Sequence, residues 1–380
     1  MKSLLKLLVG LFVGFAAAFL VTILIGWVVN GKSPVAAIQN IFGNGIVSVI
    51  VEMALIIIAA FAAAVLQVVI HEGGHLVAGL LTGYKFVSFR FMNFTLISKD
   101  GRLQWRHFDV AGTGGQCLMA PPDRPIELID TRWYNAGGVL ANILSAAIAA
   151  LLVFTIGGLP LWFETFLLST MFIGVAFAIL NGIPMKAGGV ANDGYNLLQL
   201  EKDPSSKQCF LNVLEGNALI QEGQQYKDMD EHLFALPDPI DWQNSLHMGN
   251  VTLTVSRMMN RHRWEEAYCL MTNVMVHKSD IITLLLMEFE CLMTLVCIAT
   301  GRDDEARQHY DKNAAKYAKQ YASTQSDKQA VVMAATLALD GDRAKAEQML
   351  EQLETQRNKY IHQGDVDTSL DIMRWLLDNK

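Results

Sequence analysis

Residues 46–82 read IVSVIVEMALIIIAAFAAAVLQVVIHEGGHLVAGLLT, and this stretch decides the fold of the first half of the chain. From Ile46 to Ile70 the polar side chains are limited to those of Ser48, Glu52 and Gln67. A helix of this length can cross the hydrocarbon core of a bilayer, which is about 30 Å thick. Ionisable side chains are costly at such a position, so those that follow Ile70 are candidates for function.

The apolar run ends in an H-E-x-x-H motif, His71-Glu72-Gly73-Gly74-His75. On a helix, residues four apart project from one face, so His71 and His75 can offer ring nitrogens to one metal ion. Glu72 is turned roughly 100° away, where its carboxylate can take a proton from a metal-activated water. The motif predicts a zinc site with Glu72 as general base. The alternative is a pair of helix-packing histidines with an ion-paired glutamate.

The two glycines inside the motif each weaken a helix by about 1 kcal/mol relative to alanine. Two interpretations are open. Gly73 and Gly74 either allow a neighbouring helix to pack closely, or leave room for an extended substrate beside the metal.

A third metal ligand is expected because two histidines leave a catalytic zinc one protein ligand short, and a carboxylate usually supplies it. Asp193 is the only acidic residue between Glu164 and Glu201, and it follows a segment rich in Pro and Gly. Irregular backbone at membrane depth is tolerated where it lines a cavity, so Asp193 is the predicted third ligand. The alternative is an ordinary turn aspartate at the membrane interface. Asn181, at the end of the preceding apolar run, either binds substrate or caps the helix.

Four apolar segments are long enough to span a bilayer, namely residues 4–29, 48–82, 136–157 and 161–183. We interpret the first as a retained anchor and not as a cleaved signal peptide. The loop 83–134 holds seven Lys and Arg residues, whereas residues 30–47 hold one. The excess of positive charge predicts that this loop and both termini are cytoplasmic, in a multi-pass protein of the cell membrane. His71 follows Glu52 by 19 residues, roughly 28 Å along a helix, which puts the predicted zinc site near the cytoplasmic face.

The loop contains a predicted β-hairpin over residues 84–108, with Lys99-Asp100-Gly101 at its turn. Its aromatic and β-branched residues suit the membrane rim, where an exposed edge can pair with an unwound substrate strand. A packing role alone is the other interpretation. The following segment, GTGGQCLMAPP at 112–122, is rich in Gly and Pro and is predicted to be non-regular. It includes Cys117, whose thiol is the only one in this half and a conceivable metal ligand.

The third span opens with small residues and two asparagines, Asn135 to Asn142. Small residues permit close approach to the metal-binding helix, and buried Asn side chains can bond across helices. Packing alone explains this segment as well as a part in catalysis does.

The second half of the chain differs in charge and pattern. Its 19 basic and 28 acidic residues after position 200 give a net charge of −9, against +2 for the first 200 residues. This acidic balance argues against nucleic-acid binding. Amphipathic helices recur with Ala267, Ala306 and Ala346 at matching places, each after another candidate helix, at 244–260, 281–299 and 326–340. The stacked helix pairs resemble tetratricopeptide-type repeats, which offer a concave surface for a protein partner; a plain helical bundle is the alternative.

Residues 46–200 resemble the intramembrane zinc metalloprotease family of the site-2 protease type. The resemblance rests on H-E-x-x-H, on the small-residue and Asn segment, and on N-x-x-P followed by Asp-Gly. It implies that His71, His75 and Asp193 bind Zn²⁺ and that Glu72 is the catalytic base. It further implies that Asn142 and Asn181 belong to the substrate groove and that residues 84–108 form a membrane-associated sheet. One departure stands out, since Asp193 follows Pro184 by nine residues where the family has about five.

The sequence therefore predicts a mostly α protein in two domains. Residues 1–200 form a four-span helical bundle with a small sheet at the membrane rim, and residues 205–380 form a cytoplasmic, solenoid-like helical repeat. The predicted function is hydrolysis of membrane-embedded or membrane-associated proteins and peptides. The alternative is a non-catalytic membrane scaffold whose repeat domain recruits partners.

Overall fold

The structure, a computed structural model, describes residue 27 and residues 46–99, 102–108 and 114–380. The described chain is mostly helical and carries one small four-stranded sheet. Apart from Trp27, the predicted span 4–29 lies outside the described residues. Contacts between residues divide the chain into two units, one comprising Met1–Gly74 with Gly137–Ile183 and the other His75–Ala136 with Pro184–Lys380.

Within the described ranges, three helices are long and apolar enough to cross a membrane. They are α1 (Ile46–Leu81), α2 (Arg132–Thr155) and α3 (Leu161–Gly182). Three of the four predicted apolar segments are thus helices of spanning length. Large apolar side chains cover their outer surfaces, as Ile58 and Phe61 are each 66% exposed and Leu151 is 62% exposed. Such surfaces suit contact with lipid rather than water.

The second unit begins with the end of α1 and the sheet that follows it. The strands are β1 (Lys85–Phe91), β2 (Phe94–Lys99), β3 (Arg102–His107) and β4 (Gly115–Ala120). All neighbours are antiparallel, in the order β3-β2-β1-β4. The predicted hairpin is therefore part of a larger sheet, with an additional tight turn at Met92 and Asn93 between β1 and β2.

The expectation of a non-regular segment at 112–122 is wrong for residues 115–120, which form β4 and pair with β1. The glycines and prolines on both sides favour irregular backbone, so they mask the sequence signal of this short apolar strand. Its central residues Cys117, Leu118 and Met119 are at most 6% exposed. Cys117 and Met119 belong to an apolar cluster with Tyr84, Ile129, Tyr134 and Leu211. Burial against this cluster, rather than local strand propensity, explains the strand.

After α3 the chain forms a two-residue-stranded hairpin, β5 (Lys186–Ala187) and β6 (Val190–Ala191). The short helix α4 (Asp193–Gln199) follows directly. Gly188 and Gly189 make the turn with φ of 57° and 88°, a left-handed conformation that glycine adopts without strain.

The remaining residues form helices. They are α5 (Pro204–Glu222), α6 (Ser245–Asn260), α7 (Trp264–Val276), α8 (Thr283–Ala299), α9 (Asp303–His309), α10 (Lys312–Tyr321), α11 (Ser326–Ala338), α12 (Arg343–Gln356) and α13 (Gln363–Asn379). The predicted helices at 244–260, 281–299 and 326–340 match α6, α8 and α11. Ala267, Ala306 and Ala346 are fully buried, as their matching positions suggest. The helix that contains Ala306, α9, is short and a second one follows it, because the Asp311 side chain accepts hydrogen bonds from the amides of Asn313 and Ala314 and starts α10.

Candidate metal centre

His71 lies on α1 and is oriented by Asn142 on α2. Its Nδ1 is 2.7 Å from Oδ1 of Asn142. The Asn142 amide nitrogen donates to the backbone oxygen of Gln67 at 3.0 Å and to its Oε1 at 2.6 Å. Because the amide nitrogen is engaged in this way, Oδ1 accepts from a protonated Nδ1. His71 therefore presents the lone pair of Nε2 to a metal ion.

Gln67 connects this pair to the rest of the apolar unit. Its amide nitrogen donates to Oγ of Ser145 and to the carbonyl oxygen of Thr170, both at 3.0 Å. Gln67 and Asn142 are fully buried. Each polar group thus finds partners on α2 or α3, which stabilises buried amides among apolar helices. The network fixes His71 from the side opposite its Nε2.

His75 is oriented by a backbone carbonyl. Its Nδ1 is 2.7 Å from the carbonyl oxygen of Tyr134, so that Nδ1 carries the proton and Nε2 remains for a metal. Tyr134 is itself fixed, since its hydroxyl donates to the Cys117 carbonyl at 3.1 Å and its ring stacks on Tyr84 at 5.0 Å. The sheet and the start of α2 therefore determine the orientation of the second histidine.

Asp193 approaches His75 as the first residue of α4. Its Oδ2 lies 3.4 Å from Nε2 of His75, the nitrogen that faces away from Tyr134. Asn192 caps α4 by accepting from the amide of Tyr195 at 2.9 Å. The β5–β6 hairpin brings the chain back before this cap, since the amide of Asn192 donates to the Met185 carbonyl at 3.1 Å. The extra residues between Pro184 and Asp193 are thus folded into a closed hairpin.

One ligand atom from each of His71, His75 and Asp193 lies within 4.8 Å of the other two. Among the described residues, these three side chains are the one group of His, Cys, Asp or Glu placed so that it could hold a metal ion. Both histidines lie one turn apart on the continuous helix α1, so the spacing of two ligands follows from the helix itself. Two imidazoles with oriented Nδ1–H groups and one carboxylate match the donor set of a catalytic zinc site. The residues present fit that metal.

The surroundings of Gly73 and Gly74 favour a different interpretation for each glycine. A Cβ on Gly74 would lie 2.2 Å from the carbonyl oxygen of Gly137 and 2.7 Å from Cβ of Ala141, so this glycine permits close packing of α1 on α2. A Cβ on Gly73 would meet no atom of the described residues within 4 Å. Glu72, between His71 and Gly73, is half-buried. Gly73, next to the proposed base, therefore has room for a larger group beside it, whereas Gly74 is closely packed against α2.

The two predicted substrate-binding asparagines occupy different environments. Asn142 is fully buried and holds His71, as described above. Asn181 is half-buried and donates to the carbonyl oxygen of Phe177 at 3.0 Å on its own helix. Their binding of substrate stays a prediction.

Sequence reasoning did not assign roles to two groups that orient the histidines. One is Gln67, which lies four residues before His71 on the same face of α1, a spacing that is a usable signal in an otherwise apolar run. The other is the carbonyl of Tyr134, which carries no side-chain signal.

Comparisons with protein-family models, with curated proteins and with solved structures found no significant match. The resemblance to the site-2 protease type therefore rests on the motifs alone. The chemistry of the site follows from the geometry of its own residues.

Proposed function

We propose that this protein is a zinc-dependent endopeptidase that cleaves membrane-embedded or membrane-associated polypeptides. The observation that carries the proposal is the approach of His71, His75 and Asp193 to within 4.8 Å, at one end of an apolar helix of spanning length. Three oriented ligands with a carboxylate on the adjacent residue are the arrangement that metal-assisted peptide hydrolysis requires.

A zinc ion at this site supplies Lewis-acid chemistry and lowers the pKa of a coordinated water towards neutrality. Glu72 takes the proton of the attacking water and delivers it to the leaving amine. Asn142 and the Tyr134 carbonyl keep the Nε2 atoms of the histidines directed at the ligand position. The open space beside Gly73 admits an extended peptide next to Glu72.

A helical substrate must unwind before cleavage, because its backbone amides are otherwise hydrogen-bonded within the helix. Strand β3 is an edge strand of the sheet, and its side chains are exposed along almost its whole length. Leu103 and Trp105 on this strand are 63% and 68% exposed. In this proposal β3 pairs with the unwound segment and supplies the hydrogen bonds that the substrate helix loses.

The finer architecture belongs to the same proposal. A fourth span over residues 4–29 places both termini and the helical half in the cytoplasm, as the basic loop 83–134 favours. The division into domains at 1–200 and 205–380 stays a prediction, since contacts between residues group Pro184–Lys380 with His75–Ala136. The consecutive helix pairs α6–α7, α8–α9 and α11–α12 are the basis for a solenoid-like repeat that recruits a protein partner.

Substrate trapping with Glu72→Gln tests the function. The variant keeps all three ligands and loses the base, so cells that produce it should accumulate an uncleaved membrane protein or peptide that the wild type processes. Glu52→Gln, the same change elsewhere on α1, is the matched control and should process it normally. Equal processing by Glu72→Gln and wild type would refute the proposal. Loss of bound zinc in His71→Ala with unchanged cellular function would favour the non-catalytic scaffold instead.

A further inference from the structure

The helical half contains a cavity of about 370 Å³ that is lined by basic side chains. It lies between the short helical turn Glu231–Phe234 and helix α6. Its lining includes Arg257, Arg261 and Arg263, together with Glu231, His232 and Phe234. Apart from His232, the charged lining residues are three arginines and one glutamate, a net charge of +2. A cavity of this size is in the range of small-molecule sites, which span about 300–1,000 Å³.

The burial of Arg257 is not explained by any hydrogen bond or ion pair with the surrounding described residues. Its side chain is only 7% exposed, although arginine is rarely buried without a partner. Across the described ranges, Arg257 forms neither a side-chain hydrogen bond nor an ion pair, and its Nε is buried without an acceptor. Its guanidinium lies 4.2 Å from the centre of the Phe234 ring. That contact positions the group but satisfies none of its N–H donors.

The two neighbouring arginines have hydrogen-bond partners of their own. Arg261 donates to the carbonyl oxygen of Lys227 at 2.7 and 3.2 Å, and Arg263 pairs with Glu266. Burial lowers the pKa of Arg257, and the nearby Arg261 and Arg263 lower it further, against the opposing effect of Glu231 and Asp230. Glu231 and Asp230 oppose this effect but accept no hydrogen bond from Arg257, so its buried Nε–H still lacks an acceptor that a bound anion could supply.

We propose that this cavity binds the phosphate group of a small molecule, with Arg257 as its principal ligand. A phosphate dianion matches the lining charge of +2 and accepts the parallel N–H donors of a guanidinium. Glu231, also in the lining, disfavours larger polyanions. The inference concerns the helical half and does not rest on the metal centre or on proteolysis.

Calorimetric titration of the full chain with inorganic phosphate tests the site. The protein is held in an uncharged detergent, with ionic strength fixed by chloride. Wild type should bind phosphate, and Arg257→Met should weaken the affinity at least tenfold. Arg343→Met is the matched control, because Arg343 lies on α12 outside the cavity and is 53% exposed. Its affinity should equal that of the wild type.

Thermal melting separates a ligand-binding role from a structural one. Without phosphate, Arg257→Met should melt at or above the wild-type temperature, since the buried unpaired cation is gone. Phosphate should raise the wild-type melting temperature and leave that of the variant unchanged. A lower melting temperature of Arg257→Met combined with equal phosphate affinity would show that Arg257 only packs on Phe234, and would overturn the proposal. Absence of phosphate binding by the wild type would overturn it as well.

Two further arms keep the test decisive. If Arg257→Met does not fold, Arg257→Lys retains the charge without the guanidinium fork and should bind phosphate several-fold more weakly than the wild type. Unchanged affinity in Arg257→Lys would contradict the assignment. The source of the phosphate is resolved by comparing glycerol phosphate with vesicles that contain phosphatidic acid. An Arg257-dependent response to either one supports the proposal and tells a soluble ligand from a lipid headgroup.

Discussion

The amide of Asn192 donates to the carbonyl oxygen of Met185 at 3.1 Å, and the amide of Met185 donates to Oδ1 of Asn192 at the same distance. This reciprocal pair closes the β5–β6 hairpin at its base. The intervening residues therefore add no net length to the path from α3 to Asp193. The departure from the expected spacing, nine residues from Pro184 to Asp193, is absorbed without moving Asp193 away from His75.

Asp193→Ala is expected to remove zinc from the purified protein. Loss of one of three protein ligands leaves two histidines, which hold zinc much more weakly. Metal content measured by mass spectrometry should fall to near zero after dialysis. Glu164→Ala, another acidic residue of the apolar half, should retain full occupancy. Unchanged zinc affinity in Asp193→Ala would exclude it as a ligand.

Asn192→Ala is expected to lower zinc affinity although it removes no ligand. The substitution abolishes the cap of α4 and one bond of the hairpin base, a loss of about 1 kcal/mol that allows Asp193 to move. A competition titration against a chelator should show zinc bound several-fold more weakly. Asn244→Ala removes the equivalent cap of α6 and should cost stability while leaving zinc affinity intact. Equal zinc affinity in the two variants would argue against a role of the hairpin in positioning Asp193.

Asn142→Ala is expected to weaken zinc binding about 10–100-fold, since residues that orient metal-bound histidines have effects of that size. Asn135→Ala is the matched control on the same helix. Asn135 is also buried, but its side chain donates to the carbonyl of Thr131, the residue just before α2. Asn142→Asp keeps an oxygen opposite Nδ1 of His71 and should recover part of the affinity. If Asn142→Ala binds zinc as tightly as the control, its contact with His71 is only a packing contact.

The two glycines of the motif should respond oppositely to alanine. Gly74→Ala forces a methyl group against the Gly137 carbonyl and should lower the free energy of unfolding by about 1–3 kcal/mol. Gly73→Ala meets open space and should match or exceed wild-type stability, because alanine favours the helix by about 1 kcal/mol. Melting of the detergent-solubilised proteins compares the two. A second variant, Gly73→Leu, should retain zinc and lose peptide cleavage, and normal cleavage would show that substrate does not pass this position.

Acid should destabilise the helical half through His247. Burial lowers the pKa of this histidine, against the opposing effect of Asp203 and Asp241. Its Nδ1 accepts from the Asp241 amide at 3.1 Å, which only the unprotonated ring can do. The unfolded chain therefore takes up a proton first as the pH falls below about 6.5, so stability is full above that value and declines below it.

His247→Leu tests this dependence. It should cost about 1–3 kcal/mol at pH 7.5, because the Asp241 amide loses its acceptor, and should show a flatter decline between pH 7 and pH 5. Urea unfolding followed by tryptophan fluorescence measures both quantities. His262→Leu is a useful comparison, since the pKa of His262 is also lowered by burial. A pH profile of His247→Leu parallel to that of the wild type would exclude His247 as the cause.

The proximity of the three proposed metal ligands could largely be predicted from the sequence, because most of its signals are local. His71, Glu72 and His75 form a motif of fixed helical spacing, and Asp193 was the only acid within reach in its part of the chain. The helices of the second half were predictable from apolar periodicity and from Ala267 and its counterparts. The apolar side chains that these helices bury recur at helical spacing, and this spacing is visible in a single sequence.

The rest depends on contacts that no local pattern encodes. Strand β4 forms because Met119 and Cys117 are buried by residues distant in sequence. The Tyr134 carbonyl orients His75 as backbone, so any residue at that position offers the same oxygen. Asn142 holds His71 only because α2 is rotated about its axis so that this side chain faces α1. The hairpin before Asp193 was missed because four strand residues are too few to show alternation.

The tip of that hairpin has a consequence for how the protein can be divided. A Cβ on Gly189 would lie 2.2 Å from Cγ2 of Ile282, so the turn rests directly against the residue that precedes α8. The loop that carries Asp193 is therefore packed against the helical half. A fragment truncated near residue 205 would keep every residue of the metal group and still lack the surface that supports one of them. Asp193 and the helices from α5 to α13 thus belong to the same compact unit.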